Sequence, residues 1–234
     1  MPTRYPNDIG TGRKGTALAN FPGIDPTKVV TYFNDFTGYT AGDWTITRVG
    51  VTPTEALSTT EENGVLTLTM AASDNSSDEL QLVTSFTPSA AKKIWFKTRF
   101  KISDATESDF LIGLASVDTT LLGATAGDGV TDGIFFAKDD GATGIYVSVQ
   151  KDTTTGQNQA TSIATATTSY VTLGFEYDGK GYLKYFVDDV HKGTLDASST
   201  YFPNTALRPS IAMMNGEAVS KIMNVDYIFV AYER

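Results

Sequence analysis

The sequence predicts an all-β fold, a jelly-roll β-sandwich of two antiparallel sheets with an extended N-terminal arm. Three observations lead there. Apolar and polar residues alternate with period two in many short segments, the period that sends side chains to opposite faces of a pleated strand. Between those segments stand Gly, Asp, Asn and Pro in turn-forming combinations. No stretch longer than a turn or two shows a helical apolar period, which excludes βαβ alternation and a parallel sheet.

The arm comes first. From Met1 to about Lys28, Pro2, Pro6, Pro22 and Pro26 alternate with Gly10, Gly12, Gly15 and Gly23, and no periodicity is sustained. Fixing a backbone costs on the order of 1–2 kcal/mol per residue, and such a segment has too little apolar surface of its own to offset that. The chain is therefore divided into an arm over residues 1–28 and a sandwich domain over residues 29–234. In the arm, Arg4, Arg13, Lys14 and Lys28 stand against Asp8 and Asp25, so it is mildly basic, whereas the whole chain has 18 Lys and Arg against 27 Asp and Glu, a net charge of −9. An arm of this kind gains order from something it touches, either its own domain or other subunits of an assembly. Arg4, Tyr5, Arg13, Lys14, Leu18, Phe21 and Ile24 are the residues expected to make those contacts.

The body follows strand by strand. Val65–Met70 sets Leu66, Leu68 and Met70 against Thr67 and Thr69, and Glu79–Phe86 follows with Leu80 and Leu82. Ile94–Ile102 is the clearest case. Ile94, Phe96, Phe100 and Ile102 share one face, and Lys97, Arg99 and Lys101 share the other, as in a strand with one side in water. Phe110–Val117, Ile134–Lys138 and Ile145–Lys151 continue the series. Tyr170–Tyr177 and Tyr182–Val187 flank the turn Asp178-Gly179-Lys180-Gly181, and Asp188-Asp189 with Lys192-Gly193 mark the next reversal, so Val171–Leu195 reads as an antiparallel meander. Ile211–Met214 and Val225–Tyr232 close the domain.

Composition removes whole classes of function. An acidic chain is a poor neutraliser of phosphates, which disfavours nucleic acid and anionic membrane surfaces as partners. There is no Cys and one His, so disulfide frameworks, thiol nucleophiles and zinc fingers are excluded, and no cofactor is expected. No run approaches the ~20 apolar residues of a membrane span. Met1 to Asp8 lack the apolar stretch of a secretory signal, so synthesis in a cytoplasm, with later release by lysis or assembly, is the expectation.

The segment Phe175-Glu176-Tyr177-Asp178-Gly179-Lys180-Gly181-Tyr182-Leu183-Lys184-Tyr185-Phe186-Val187-Asp188, with the closing Asn224-Val225-Asp226-Tyr227-Ile228-Phe229-Val230, resembles the concanavalin A-like or laminin G-like jelly roll. Those motifs specify fold better than function. Arg4-Tyr5-Pro6, Gly12-Arg13-Lys14-Gly15, Asp25-Pro26-Thr27-Lys28-Val29 and Tyr32-Phe33-Asn34-Asp35-Phe36 resemble the opening of tailed-bacteriophage virion proteins that carry this jelly roll, some of which decorate or cement the capsid. That resemblance implies a decoration protein on the virion surface. Its partners would be the major capsid protein and neighbouring copies of itself, with a homo-trimer favoured.

Glucanases of the same superfamily carry a Glu-x-Asp-x-x-Glu strand, whose alternate carboxylates flank the scissile bond about 5–5.5 Å apart in the retaining mechanism. No such strand occurs here. Asp132-Gly133-Ile134-Phe135-Phe136-Ala137 has the comparable central place but apolar residues where carboxylates are required. Glu61-Glu62 and Asp139-Asp140 are adjacent pairs and read as solvated turn charge. Asp74, Ser76, Asp78 and Glu79, or Asp128 with Asp132, are oxygen donors of the kind Ca²⁺ takes, but Asp74–Asp78 lacks the EF-hand pattern and reads as a polar hairpin tip. No metal site is assigned, and no catalytic residue. His191 reads as a surface residue, and Gly123–Gly129 as a loop at the sandwich edge. Trp44 and Trp95 read as exposed aromatics able to stack on a sugar, although for Trp95, on the outward face of its strand, covering by a neighbouring subunit is an equal explanation. A lectin-like carbohydrate-binding module is thus the alternative to the capsid role, and a glucanase the disfavoured third.

Overall fold

The computed structural model describes residues 25–152 and 156–234. Among the described residues, fifteen strands and one 3₁₀ turn, Ala41–Asp43, make up the regular structure. The strands are β1 (Val29–Asn34), β2 (Trp44–Val49), β3 (Thr54–Leu57), β4 (Leu66–Thr69), β5 (Ser77–Leu82), β6 (Ile94–Ile102), β7 (Ser108–Ser116) and β8 (Gly133–Lys138). They continue with β9 (Gly144–Lys151), β10 (Gly156–Thr165), β11 (Val171–Tyr177), β12 (Tyr182–Val187), β13 (Val190–Asp196), β14 (Leu207–Asn215) and β15 (Ile222–Glu233).

They form two antiparallel sheets. The eight-stranded sheet runs β13-β12-β11-β6-β15-β4-β3, with β1 added along β15, and the seven-stranded sheet runs β10-β9-β8-β7-β14-β5-β2. This is the sandwich that the period-two pattern predicts. Between the sheets, Phe96, Phe100 and Phe175 of one layer meet Phe110 and Phe136 of the other. Phe96 stacks on Phe175 at 5.1 Å, and Phe100 meets Phe110 edge-on at 5.0 Å. Each such ring is wholly removed from water, and burial of a side chain of this size contributes roughly 1.5–3 kcal/mol.

The turns follow their chemistry. Val187 pairs with Val190 across Asp188-Asp189, whose φ values of 49° and 61° make the left-handed two-residue turn that matches strand twist. Asp178 Oδ1 accepts the amides of Lys180 and Tyr182, closing the β11–β12 reversal, and the expected meander is present as β11-β12-β13.

Several expectations are corrected. Trp44 is a core residue, 5% exposed and stacked on Phe36 at 6.4 Å. Trp95 does face outward from β6 but is fully buried there, packed with Val29, Ala231 and Phe229. The segment after Asp74 is no hairpin tip: Ser76 to Leu82 are all buried, because β5 lies inside its sheet between β2 and β14. The arm residues Arg4, Tyr5, Arg13, Lys14, Leu18, Phe21 and Ile24 lie outside the described residues. At the arm's inner end, Asp25–Lys28 forms a turn in which Asp25 Oδ1 accepts from both the amide and the hydroxyl of Thr27.

Candidate functional site

Each sheet has an outer face, and the two faces differ in what covers them. On the seven-stranded sheet, β7, β8, β9 and β14 point Leu111, Ala115, Phe135, Ala137, Tyr146, Ala212 and Met214 outward, all buried. The cover is the segment from Val117 to Asp132, which lays Leu121, Leu122, Ala126 and Val130 on them. Gly123–Gly129, expected at the sandwich edge, therefore crosses a sheet face. Gly127, at φ +87°, fits because a Cβ there would stand 2.7 Å from the ring of Phe135.

Polar side chains clamp this segment. Glu79 accepts the amides of Leu121 and Leu122 at 2.9 and 3.2 Å. Gln81 accepts the amide of Asp118 at 3.0 Å and donates to the carbonyl of Ser116 at 2.9 Å. The Tyr146 hydroxyl donates to the Ala126 carbonyl, Gln150 to the Val130 carbonyl, and Asp139 accepts the Ala126 amide. Buried backbone groups must be satisfied, and here side chains do it. The centre of this face is occupied by the chain itself.

The outer face of the eight-stranded sheet is open in one stretch. Beyond Trp95, β6 presents Lys97, Arg99 and Lys101 outward, and each meets a carboxylate. Lys97 donates to Asp189 at 2.9 Å, Arg99 to Asp226 on β15, and Lys101 to Glu61 at 2.6 Å. Tyr170, just ahead of β11, lies beneath two of these cations, with the Arg99 guanidinium 4.1 Å and the Lys101 ammonium 4.8 Å from its ring centre. Its hydroxyl donates to the second oxygen of Glu61 at 3.0 Å. Arg99, Tyr170, Asp226, Glu61, Glu62 and Asn63 thereby line a surface depression of about 330 Å³.

The loop that brings Glu61 there depends on Asn63-Gly64, at φ 68° and 76°. A Cβ on Gly64 would stand 2.5 Å from the carbonyl oxygen of Asp35, so this turn requires glycine on both conformational and steric grounds. Ser58 adds a local tie by accepting the amides of Thr60 and Glu61.

The ionisation states suit binding. Lys101 and the Tyr170 hydroxyl, by hydrogen bonding, hold the Glu61 carboxyl below its usual range. Burial, and then the hydrogen bond and negative charge of Glu61, push the Tyr170 phenol up to about 12, so it stays a neutral donor. The carboxyls pushed upward lie elsewhere and under cover. Asp78 and Asp109, each raised by burial to about 7, are 0% and 2% exposed, and Glu79, also raised by burial, holds the covering segment.

The remaining expected candidates scatter. Glu61 is an ion-pair partner and not free turn charge, whereas Glu62 is exposed. Asp132 is fully buried and accepts the Asn204 amide, while Asp128 accepts from Thr125 on the covering segment. No group of three or more His, Asp or Glu arranged to hold a metal occurs among the described residues. His191 is exposed on β13, as expected, with Thr194 Oγ1 3.4 Å from its Nε2. Tyr170, Arg99 and Asp226 were not singled out by the sequence as a site, although the charged face of β6 was visible in it.

No protein-family model matches the chain, and no curated protein sequence does. Solved structures do. The carbohydrate recognition domain of Emp47p superposes with a TM-score of 0.58 at 15% identity, over 89% of this chain and 98% of that one. A Bacteroides ovatus mixed-linkage-glucan GH16 protein, solved with a product, gives 0.59 at 14% identity over 84% and 98%. Peanut lectin gives 0.58 at 11% identity over 87% and 97%. The shared property is the fold, a concanavalin A-like jelly-roll sandwich of the kind found in lectin domains and GH16 proteins.

Proposed function

We propose that this protein is a non-catalytic, lectin-like carbohydrate-binding module, and that the Tyr170 depression is its binding site. The observation that carries the reading is the Glu61–Tyr170–Arg99–Asp226 network. It sets an aromatic ring, two carboxylates and a guanidinium in fixed relative positions on the uncovered part of a sheet face. Sugars are bound by such combinations, in which planar polar groups meet hydroxyls and a ring packs against the apolar face of the pyranose. Pre-organisation lowers the entropic cost of capture. The carbohydrate-binding neighbours of the same fold support the reading.

The proton inventory supports binding without hydrolysis. A glycosidase requires an acid whose pKa is raised and which reaches the glycosidic oxygen. Glu61 is shifted the opposite way, and the raised carboxyls are buried. A glycan array probed with and without chelator, using the full chain and Tyr170→Ala, tests the proposal. Binding by the full chain that Tyr170→Ala abolishes supports it, and a flat array in both conditions overturns it.

A second reading, decoration of a bacteriophage capsid, rests on the arm. It is favoured by the way the arm's inner end is fastened: Arg234 donates its amide to the Lys28 carbonyl at 2.8 Å and its Nε to the Pro26 carbonyl at 3.0 Å, beside the Val29–Glu233 pair. The turn Asp25–Lys28 is thus held against the last residue of the chain. In this setting the partners are the major capsid protein and further copies of the chain, a trimer being the simplest closed arrangement. The location is the capsid surface. Removal of residues 1–24 should leave a folded domain that no longer binds capsids, and full occupancy by the truncated chain overturns this reading.

A further inference from the structure

The Tyr170 depression does not end at Glu61. Thr60 lines it and also lines a second depression, formed with Thr54, Ala56, Thr67, Thr69 and Asn224 on the outer face of β3, β4 and β15. The strand register makes the two continuous. Thr54 stands opposite Thr69 and Ala56 opposite Thr67. Thr67 stands opposite Asn224, which in turn stands opposite Lys101. With neighbouring strands ~4.8 Å apart, the line from β11 across β6, β15 and β4 to β3 is about 19 Å long.

The two ends differ in chemistry. No charged side chain lines the β3–β4 end, which offers threonine hydroxyls and the Asn224 carboxamide. The Thr67 hydroxyl already donates to Asn224 at 2.8 Å, fixing that amide in place. At the Tyr170 end the lining Arg99 is matched by Asp226 and the neighbouring Lys101 by Glu61, and the exposed Glu62 adds a further negative charge. Among the described residues, a carboxylated or sulfated sugar would find no unmatched cation here and would meet like charge.

We propose that the two depressions form one groove for an extended, uncharged oligosaccharide laid across the strands, with a pyranose ring at Tyr170 and successive residues hydrogen-bonded along Asn224, Thr67, Thr69 and Thr54. This rests on the carbohydrate reading of the Tyr170 depression given above and adds the length and charge class of the ligand.

Calorimetric titration of the full chain tests it. The probes are neutral gluco- and manno-oligosaccharides from disaccharide to hexasaccharide, and oligogalacturonides of matching length. Affinity is expected to rise at least tenfold from disaccharide to hexasaccharide in a neutral series, with the acidic series at least tenfold weaker. Thr69→Val, and separately Thr54→Asp at an exposed edge position, should flatten the length dependence while changing disaccharide affinity less than twofold. Equal affinity for short and long neutral chains, or stronger binding of the acidic series, overturns the groove while leaving the Tyr170 site standing. Absence of binding by every probe, together with an unresponsive Tyr170→Ala, overturns both.

Discussion

The hydroxyl of Tyr170 donates to Glu61 across 109 residues of sequence, while the guanidinium of Arg99 sits 4.1 Å from the centre of the same ring and donates to Asp226. One aromatic side chain thereby joins the loop before β4, the centre of β6 and the long closing strand β15. Its removal is expected to undo the site without undoing the fold. Exposed ion pairs and cation–π contacts contribute about 0.5–1 kcal/mol each, so Tyr170→Ala should shift the thermal midpoint by only a few degrees. Glycan affinity should fall at least tenfold in the same variant, and Tyr170→Phe, which keeps the ring and loses the Glu61 bond, should fall between. Calorimetry beside thermal melts separates the two effects.

Gly64 holds the same site from behind. A side chain there meets the Asp35 carbonyl and imposes a left-handed φ on a non-glycine residue. Gly64→Ala is expected to cost roughly 2 kcal/mol or more in denaturant unfolding and to weaken glycan binding together with it. Weakened stability with unchanged affinity would show that the loop does not position Glu61.

Stability should depend on pH in an unusual direction. Asp78, fully buried, has neither oxygen hydrogen-bonded among the described residues. Arg48 Nε is 3.8 Å away, while another nitrogen of the same guanidinium pairs with Glu55, and Glu55, Glu79 and the Tyr39 hydroxyl add to the surroundings. Burial first, and then the charge of Glu55, raise the Asp78 carboxyl from 3.8 to about 7. Between those values the folded chain holds a proton that the unfolded chain has released, so this group's contribution is full below about pH 4 and is lost as pH rises toward 7. Asp109 acts in the same direction. Asp104, lowered to about 2 chiefly by its hydrogen bond from Lys221, acts the other way, and its contribution is lost only as pH falls from about 4 toward 2. Unfolding free energy is therefore expected to decline from pH 5 to pH 7.5. Asp78→Asn, which keeps the shape and removes the titrating charge, should flatten that decline and gain ~1–2 kcal/mol at pH 8. Urea titrations across pH read both.

The covering segment of the seven-stranded sheet hangs on one carboxylate. Glu79→Ala leaves the buried amides of Leu121 and Leu122 without an acceptor, at a cost of about 2–3 kcal/mol. Hydrogen exchange should quicken over residues 118–130 and stay slow in β7 and β14. Unchanged exchange in that segment would mean that its apolar contacts alone hold it.

How far these features were legible in the sequence depends on their range. β6 and β12 stand out because alternation is local, and the Asp188-Asp189 turn because its residues tolerate left-handed φ. β10 escapes notice: Gly156–Thr165 is polar, lies on a sheet edge, and breaks its pairing with β9 between Ala160 and Ala164. Periodicity puts Trp95 outward correctly but contains nothing about what packs on it. The apolar residues Leu121, Leu122, Ala126 and Val130 inside a glycine-rich stretch were the available sign of a covering loop. The Tyr170 site left no comparable sign, because Glu61, Arg99, Tyr170 and Asp226 come from four separate parts of the chain and meet only once the eight-stranded sheet has formed.

A crystal structure of the full chain soaked with a neutral hexasaccharide tests the account most directly. Sugar density is expected on the outer face of the eight-stranded sheet, with a ring against Tyr170 and contacts to Asp226 and Asn224. Density instead over the seven-stranded sheet, with residues 117–132 displaced, would contradict it.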